Sequence, residues 1–295
     1  MRVEPSKPVT DLQTATNKPS AELCTSAAET ALSAAARAGV ELRLLDSLSE
    51  FEAASRLIAR IWSDDDPKAP AALLRALSHA GNFVAGAFSE GDLVGVSVAF
   101  FGQEGDRMHL HSHITGVDPL FQNRSLGFAV KQFQRSWTLE HGVESIRWTA
   151  DPLVRRNLYF NLHKLGATIV DYHPDFYGPL FDGVNGAGES DRVVLEWELA
   201  SRRAVEASDG RQAQPEAGSG TIIVQPGTGG GPVAGAGGAE PLLVWIPDDI
   251  VSLRRHNPGQ ADAWREAVRE AMRSALADGY HGEAITRDGW LQLTR

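Results

Sequence analysis

The 295-residue chain contains a single cysteine, Cys24, and its hydrophobic runs are short. One cysteine cannot form a disulfide within the chain, which favours a reducing, cytoplasmic setting. No apolar run approaches the roughly 20 residues that a membrane-spanning helix requires, and no positively charged segment followed by an apolar one opens the chain. We therefore expect a soluble cytoplasmic protein that has no membrane partner.

Positive charge is also scarce. The 28 lysine and arginine residues face 38 aspartate and glutamate residues, so the net charge is -10. Nucleic acids and anionic membranes attract basic surfaces, and the composition therefore argues against both as main partners. With 42% hydrophobic residues, the chain can bury one large core, or one core and a small appendage.

The most informative stretch, residues 107–137, predicts a strand, a sharp connection and a helix. Residues 108–117 are rich in β-branched side chains and histidine, and their period of two puts His109, His111, His113 and Thr115 on one face. Asp118-Pro119 ends this strand. A helix is expected to begin near Arg124 or Ser125, because apolar residues then recur at spacings of three and four: Leu126, Ala129, Val130, Phe133 and Trp137.

The connection itself, residues 122–127, has the sequence QNRSLG. Small residues in the first turn of a helix let a ligand approach the backbone. The unpaired N–H groups there, together with the helix dipole, attract phosphate or pyrophosphate. The loop is not a P-loop, since no Gly-Lys-Ser/Thr follows, and the three-glycine spacing of a Rossmann fold is absent. The pattern favours a phosphorylated cofactor.

This loop resembles the Gln/Arg-x-x-Gly-x-Gly/Ala loop of the GNAT superfamily of acyl-CoA N-acyltransferases, which holds the pyrophosphate of coenzyme A. Gln122 and Gly127 fit, whereas Ser125 stands where the first glycine is usual. Asn157 either hydrogen-bonds the pantetheine arm or caps and solvates the start of its own helix. The expected cofactor-binding residues are Thr115, Val117, Gln122, Asn123, Arg124, Ser125, Leu126, Gly127, Phe128 and Asn157.

The predicted element order of residues 40–200, β-α-α-β-β-β-α-β-α-β-β, is also that of the GNAT fold. It implies an α/β (α+β) class, with a mixed, mostly antiparallel sheet flanked by helices and splayed open beside residues 108–117 to admit the pantetheine arm. Residues 151–153, 156–157 and 164–167 resemble a poorly characterised bacterial branch of predicted GNAT acyltransferases. Some relatives of that branch are thought to N-succinylate amino acids, so acetyl-CoA and succinyl-CoA are both candidate donors.

Three further segments flank this domain. Residues 1–39 are rich in Ala, Ser, Thr and Pro and are expected to be disordered or weakly helical, with a short helix over residues 27–38. Residues 201–240 have the composition of a flexible Gly/Pro/Ala-rich linker. Residues 241–295 predict a small C-terminal β-α-β appendage without primary catalytic residues. It is expected to dock on the catalytic domain, cover an edge of its sheet or form a homodimer contact.

Attack on a thioester requires a neutral amine, and therefore a base. A common base position in GNAT enzymes lies eleven residues before the Gln/Arg of the loop, which is His111 here. His113 follows two residues later, and this spacing resembles the arylalkylamine acyltransferase branch, whose paired histidines relay the proton of the amine. The alternatives are hydrogen-bonded strand histidines or a metal site. We expect no metal, because no carboxylate or cysteine lies at ligand spacing.

Many GNAT enzymes protonate the leaving thiolate with a tyrosine that precedes a Lys-x-Gly motif by two residues. Leu162 occupies that place here. Tyr159, nearly one turn earlier, is the candidate acid, with a packed aromatic residue as the alternative. The resemblance predicts an N-acyltransferase that moves an acetyl or succinyl group from acyl-CoA to the amine of a small molecule or amino acid. The alternative is a catalytically weak CoA-binding sensor or interaction module. Protein acylation is less favoured, since nothing marks a peptide groove.

Overall fold

The structure is a computed structural model that describes residues 19–62, 69–122, 124–178, 188–216, 219–235 and 237–295. Its N-terminal part contains α1 (Ala21–Ala38), β1 (Glu41–Leu44), α2 (Leu48–Trp62), α3 (Ala71–His79), β2 (Phe83–Ser89), β3 (Asp92–Glu104), β4 (Arg107–Val117), a 3-10 turn (Pro119–Phe121), α4 (Leu126–Glu140), β5 (Ser145–Ala150), α5 (Arg155–Tyr159) with a π-helical turn (Phe160–Lys164), β6 (Thr168–His173) and β7 (Arg192–Glu198).

The C-terminal part contains α6 (Arg202–Ser208), β8 (Thr221–Pro226), β9 (Pro232–Ala234), β10 (Leu242–Trp245), α7 (Ile250–His256), α8 (Pro258–Ala277), β11 (His281–Ile285) and β12 (Trp290–Thr294). All described strands belong to one sheet, in the order β1-β2-β3-β4-β5-β7-β6-β11-β12-β10-β8-β9. No helix in the described ranges is both long enough and apolar enough to cross a membrane.

The sheet is mixed and mostly antiparallel, and helices flank it, which confirms the predicted fold class. Its first four strands are antiparallel neighbours. A two-residue turn, Glu90-Gly91, joins β2 to β3, and both of its residues have positive φ. Such turns match the twist of the flanking strands, so the predicted hairpin has a physical basis here.

The strand pair β4 and β5 is parallel and pairs over a short length. Only Leu110↔Ile146 and His111↔Arg147 are in register. The remainder of β4, residues 112–117, has no described strand on that edge. The prediction that these two strands are sheet neighbours, with a gap opening beside β4, is confirmed.

The N-terminal expectation needs a correction for its described part. Helix α1 runs from Ala21 to Ala38, with the Ser20 side chain accepting a hydrogen bond at its start and Gly39 ending it in a left-handed conformation. It packs along α4, and its buried side chains are all alanine: Ala27, Ala31, Ala34 and Ala35. Small side chains bury little area but let two helices approach closely, which composition alone does not reveal. Residues 1–18 of the predicted disordered segment lie outside the described residues.

The predicted flexible linker, residues 201–240, also needs a correction. It contains α6, β8 and β9, and β8 pairs in parallel with β10 through Leu242↔Thr221 and Leu243↔Ile222. The run Thr221-Ile222-Ile223-Val224 has the β-branched composition of a strand, and the surrounding glycines mask this signal. The C-terminal part is therefore larger than the predicted β-α-β appendage over residues 241–295.

The C-terminal part extends the main sheet. Gly282 of β11 pairs with Ile169 of β6, which covers that edge. An ion pair fixes α8 nearby, since both guanidinium nitrogens of Arg269 that contact Asp191 lie within 2.8 Å of its carboxylate oxygens. Tyr172 donates its hydroxyl to the same carboxylate at 2.5 Å. The two parts thus share one sheet and a buried polar contact.

Candidate functional site

A β-bulge in β4 sets the geometry of the site. Val98 of β3 lies opposite Ile114, but the next residue, Ala99, lies opposite Ser112. His113 is therefore an extra residue on β4 without a partner on β3. A bulge of this kind shifts the alternation of side chains by one position and bends the strand locally.

Because of the bulge, the predicted common face of β4 is only partly right. His111 and His113 stay together, and both contact the Phe100 ring of β3. Thr115 instead turns to the α4 side, where its hydroxyl lies 3.0 Å from Ser97 Oγ, and Gln134 of α4 in turn donates to that Ser97 oxygen. The placement of Thr115 on the histidine face was wrong, because the alternation rule assumes an unbulged strand.

The two histidines form a close pair that is neutral at pH 7. Their ring centroids are 6.2 Å apart, and those of His111 and Phe100 are 5.0 Å apart. Burial lowers the pKa of His111 to about 4, and the proximity of His113 adds to this effect. Burial also lowers the pKa of His113, although solvent reaches this residue. Each ring therefore has a nitrogen lone pair that can accept a proton.

The free edge of β4 carries backbone donors. Asp118 donates its N–H to Val94 of β3 at 2.9 Å. Alternate N–H groups of a strand point to opposite edges, so those of Val117 and Thr115 point away from β3. On that side β5 does not pair beyond His111. The backbone N–H groups of two predicted cofactor-binding residues thus point into the gap.

This edge leads to the start of α4. Ser125 has φ 59° and ψ 13°, a left-handed conformation, and its side chain makes no capping hydrogen bond. The first described intrahelical bond runs from Ala129 N–H to the Ser125 carbonyl. The N–H groups of Leu126, Gly127 and Phe128 precede it and have no acceptor within the helix. A helix start of this kind suits an anion.

The side chains at this helix start differ in how much space they leave for a ligand. A Cβ on Gly127 would meet no atom within 4 Å, whereas the Leu126 side chain is buried in a small cluster with Val130. Gln122 and Arg124 are exposed, and the Arg124 guanidinium lies 5.1 Å from the centre of the Phe121 ring. Asn123 lies outside the described residues. Leu126 therefore offers a ligand only its backbone.

The later helix holds the other predicted residues. Tyr159 donates its hydroxyl to Gln214 Oε1 at 2.7 Å, and its ring lies 4.8 Å from that of His163. Leu162, where the motif tyrosine is expected, is fully buried in the main core. Asn157 is exposed in the first turn. No described contact joins Tyr159 to β4, so its role as catalytic acid stays a prediction.

Lys131 of α4 was not expected at the site. Its Nζ donates to Ser112 Oγ and to Gln134 Oε1, both at 2.9 Å, and lies 4.0 Å from the centre of the Trp148 ring of β5. Burial lowers the pKa of Lys131 to about 7. One signal was available, since Lys131 lies four residues after Gly127 and so on the same helix face.

The three histidines of β4 are the candidate metal ligands that the sequence offers. In the part of the chain that the structure describes, no three His, Cys, Asp or Glu side chains lie close enough together to hold a metal ion. His109 packs over Gly102 of β3, where a Cβ would meet the imidazole ring at 2.7 Å. His109 is thus held against a neighbouring strand.

No family model matches the chain, and no curated protein matches it in sequence. Solved structures match over about half of its length. They include Ard1 from Thermoplasma volcanium, at 19% identity and a TM-score of 0.43, over 54% of this chain and 96% of that one. The ribosomal-protein-S18-alanine N-acetyltransferase from Escherichia coli matches at 13% identity and a TM-score of 0.45, over 55% of this chain and 97% of that one. Naa50 from Arabidopsis thaliana, solved with a bisubstrate analogue, matches at 15% identity and a TM-score of 0.41, over 54% of this chain and 97% of that one.

The chain's own topology carries the assignment of the fold. The order of elements from β1 to β7 is the one predicted for residues 40–200. The parallel pair β4 and β5 separates after His111, and an open helix start follows β4. At the level of the fold, the resemblance that the sequence predicted is confirmed, and residues 41–198 have the GNAT fold.

Proposed function

We propose that the protein is an N-acyltransferase that moves an acyl group from acyl-CoA to the amine of a small molecule or amino acid. One observation carries this proposal. Strand β4 leaves β5 after His111, and beyond its free edge the chain passes the 3-10 turn Pro119–Phe121 before the open N-terminus of α4. An extended chain of amides ending in a pyrophosphate, as in coenzyme A, matches such a strand edge followed by an anion site.

The dimensions of the gap agree with this ligand. From Ser112 to Val117 the strand edge spans about 16 Å at the usual rise per residue. The N–H groups of Thr115 and Val117 face this edge and would pair with the amides of the pantetheine arm or with the thioester carbonyl. The N–H groups of Leu126, Gly127 and Phe128 would hold the pyrophosphate, with Arg124 adding a charged contact.

The histidine pair supplies the base. His111 is neutral above its pKa of about 4 and can take a proton from the attacking amine. A base of such low pKa holds the proton weakly, so the proton must move on. His113 lies beside His111, and solvent reaches it. We assign His111 as general base and His113 as its partner in a relay to water.

The developing negative charge on the thioester oxygen needs donors already in place. The Thr115 N–H, on the free edge, is the donor that we assign to it, since a fixed backbone dipole requires no reorganisation during the reaction. Loss of one such donor typically costs a factor of about 100 to 1,000 in rate. The acyl group that this donor would polarise is acetyl or succinyl.

A second function, a CoA-binding sensor with weak or no turnover, is favoured by one observation. Leu162 replaces the motif tyrosine, and the hydroxyl of Tyr159 is bound to Gln214. A sensor would bind CoA at the same gap but release no thiol.

Binding and turnover together test the proposal. Calorimetry with CoA, acetyl-CoA and succinyl-CoA should show binding to the full chain. A thiol-release assay should then show turnover with at least one member of a panel of amines and amino acids. Binding without release from any acceptor would favour the sensor, and absence of binding would refute both functions.

A further inference from the structure

Lys131 places an amine at the closed end of the gap. Its Nζ contacts Ser112 of β4 and the Trp148 ring of β5, just beyond the last paired residues of these strands. Ser112 lies five residues before Val117, so the amine is about 16 Å back along β4 from the end of that strand. This is where an arm that begins at the pyrophosphate site would end.

No described negative charge compensates the burial of the Lys131 ammonium group. The residue is 4% exposed, and burial alone accounts for its lowered pKa, since no described carboxylate offsets it. Lysine is almost never fully buried unless it is paired. Its ammonium form has three donor protons, and the described hydrogen bonds, to Ser112 and Gln134, use two of them. The third has no described hydrogen-bond acceptor, only the Trp148 ring 4.0 Å from Nζ, and is the proton available to a group in the gap.

The orientation of α4 brings this amine onto the path of the arm. Gly127 and Lys131 are four residues apart and share one helix face, with Lys131 about 6 Å further along the axis. Gly127 is the open position above which the pyrophosphate would lie. The same face therefore holds the phosphate end of the ligand and, through Lys131, its sulfur end.

We propose that Lys131 is the catalytic acid that protonates the thiolate of coenzyme A. This assignment rests on the proposed function. The amine nitrogen bonds to the acyl carbon and gives its proton to His111. The carbon–sulfur bond then breaks, its electron pair goes to sulfur, and the Lys131 ammonium transfers a proton to that sulfur. His111 releases its proton to solvent, and neutral Lys131 takes one up, which restores both groups.

The electrostatics of the site support these roles. Burial places the pKa of Lys131 at about 7 and that of His111 at about 4. Between these values the lysine is charged and the histidine is neutral, as an acid and a base must be. Among the described titratable groups, His111 of β4 is electrostatically coupled to Lys131, whose charge adds a small lowering of the His111 pKa. The other neighbours, Trp148 on β5, Ser112 on β4 and Gln134 on α4, do not titrate near neutral pH.

Three variants test the assignment. Lys131→Met removes the proton and keeps the length of the side chain. Lys131→Arg keeps the charge, but its guanidinium does not release a proton near neutral pH. Lys164→Met, at an exposed lysine after α5, is the matched control. If Lys131→Met does not fold, as judged by circular dichroism, Lys131→Gln replaces it.

The first measurement is the pH dependence of kcat. In the wild type kcat should fall as pH rises through about 7, since Lys131 loses its proton there. Lys131→Met and Lys131→Arg should lose about a hundredfold in kcat and lose this limb, while binding CoA within about threefold of the wild type. A wild type that turns over, with both variants keeping its kcat and limb, would overturn the assignment and leave the proposed function standing.

The second measurement needs no acceptor. The thiol of bound CoA is titrated by its thiolate absorbance. Its pKa should be lower in the wild type and Lys164→Met than in Lys131→Met, because a nearby positive charge stabilises a thiolate. Equal values would show that Lys131 does not face the sulfur. A wild type that binds CoA but acylates no acceptor refutes the acyltransferase function, and the catalytic role of Lys131 with it.

Discussion

His111 of β4 lies opposite Arg147 of β5, and it is the last residue of β4 that pairs with that strand. The predicted base therefore lies at the closed end of the gap. Its ring faces Phe100 and His113, whereas the next side chain, Ser112, faces α4 and contacts Lys131. Adjacent residues of one strand thus lead to the proposed acid on one face of the sheet and the proposed base on the other.

The first prediction concerns the histidine pair. His111→Ala should lower kcat/KM by about a hundredfold, because removal of a general base typically has an effect of this size. His113→Ala should have a smaller effect, and the double variant should resemble His111→Ala, because the two act in one relay. The measurement is kcat/KM against pH, in which the wild type should lose activity as pH falls through about 4 and His111 gains a proton.

His256→Ala, at an exposed histidine on α7, is the control and should leave the profile unchanged. If all three site variants kept the wild-type rate and its acid limb, His111 and His113 would be packing residues only.

The second prediction tests the pyrophosphate site. Gly127→Trp should weaken CoA binding by at least about tenfold, since the indole would occupy the space in which the pyrophosphate meets the helix N–H groups. The fold should persist, because a Cβ at Gly127 meets no atom within 4 Å. Calorimetry measures the affinity, and thermal unfolding checks stability.

Gly259→Trp provides the matched control. Gly259 is also in the first turn of a helix, α8, and a Cβ there also meets no atom within 4 Å. Unchanged CoA affinity in Gly127→Trp, or equal loss in both variants, would contradict the placement.

Local signals in the sequence predicted much of the fold. The apolar spacing in α4 was correct, since Leu126, Ala129 and Val130 are buried. Turn residues and alternation were sufficient for the hairpin, and the element order was sufficient for the neighbours β4 and β5. These features depend on residues that are close in the chain or on an element order that few folds share.

The parts that the sequence did not predict depend on distant contacts. The bulge at His113 results from the register with β3, so Thr115 was placed on the wrong face. The packing of α1 on α4 comes from alanines, whose small apolar area gives a weak signal. Lys131 has the helical spacing of a site residue, but its burial follows from Ser112 and Trp148, which lie on two different strands.

The third prediction concerns the contact between α8 and the main sheet. Arg269→Met should lower the free energy of unfolding by about 3–5 kcal/mol at pH 7, because it leaves the buried Asp191 carboxylate without its cation. Arg273→Met, at an exposed position of the same helix, should be nearly neutral. Denaturant unfolding measures both.

This contact also predicts that the free energy of unfolding falls at acid pH. Burial alone would raise the pKa of Asp191, but hydrogen bonds from Arg269 and Tyr172 outweigh it and the net pKa is lowered. A carboxyl whose folded pKa lies below its unfolded value stabilises the fold above the unfolded value, near 4, and loses this contribution as pH falls through the folded one. The difference between wild type and Arg269→Met should therefore shrink below pH 4. A constant difference down to pH 2 would contradict the assignment.

The last prediction separates Tyr159 from Lys131 as the acid. Tyr159→Phe keeps the ring against His163 and removes the hydroxyl that Gln214 accepts. We expect a small loss of stability, about 1 kcal/mol for one hydrogen bond, and a kcat within about threefold of the wild type. Gln214→Ala breaks the same hydrogen bond while leaving the hydroxyl, so it should match Tyr159→Phe in kcat. It should lose more stability, because it also removes the contact of Gln214 Nε2 with His163 Nε2 at 3.0 Å. If Tyr159 were the acid, Tyr159→Phe would instead lose about a hundredfold in kcat together with the alkaline limb, and Gln214→Ala would not. The alkaline limb then identifies the acid, since it should survive Tyr159→Phe and disappear in Lys131→Met.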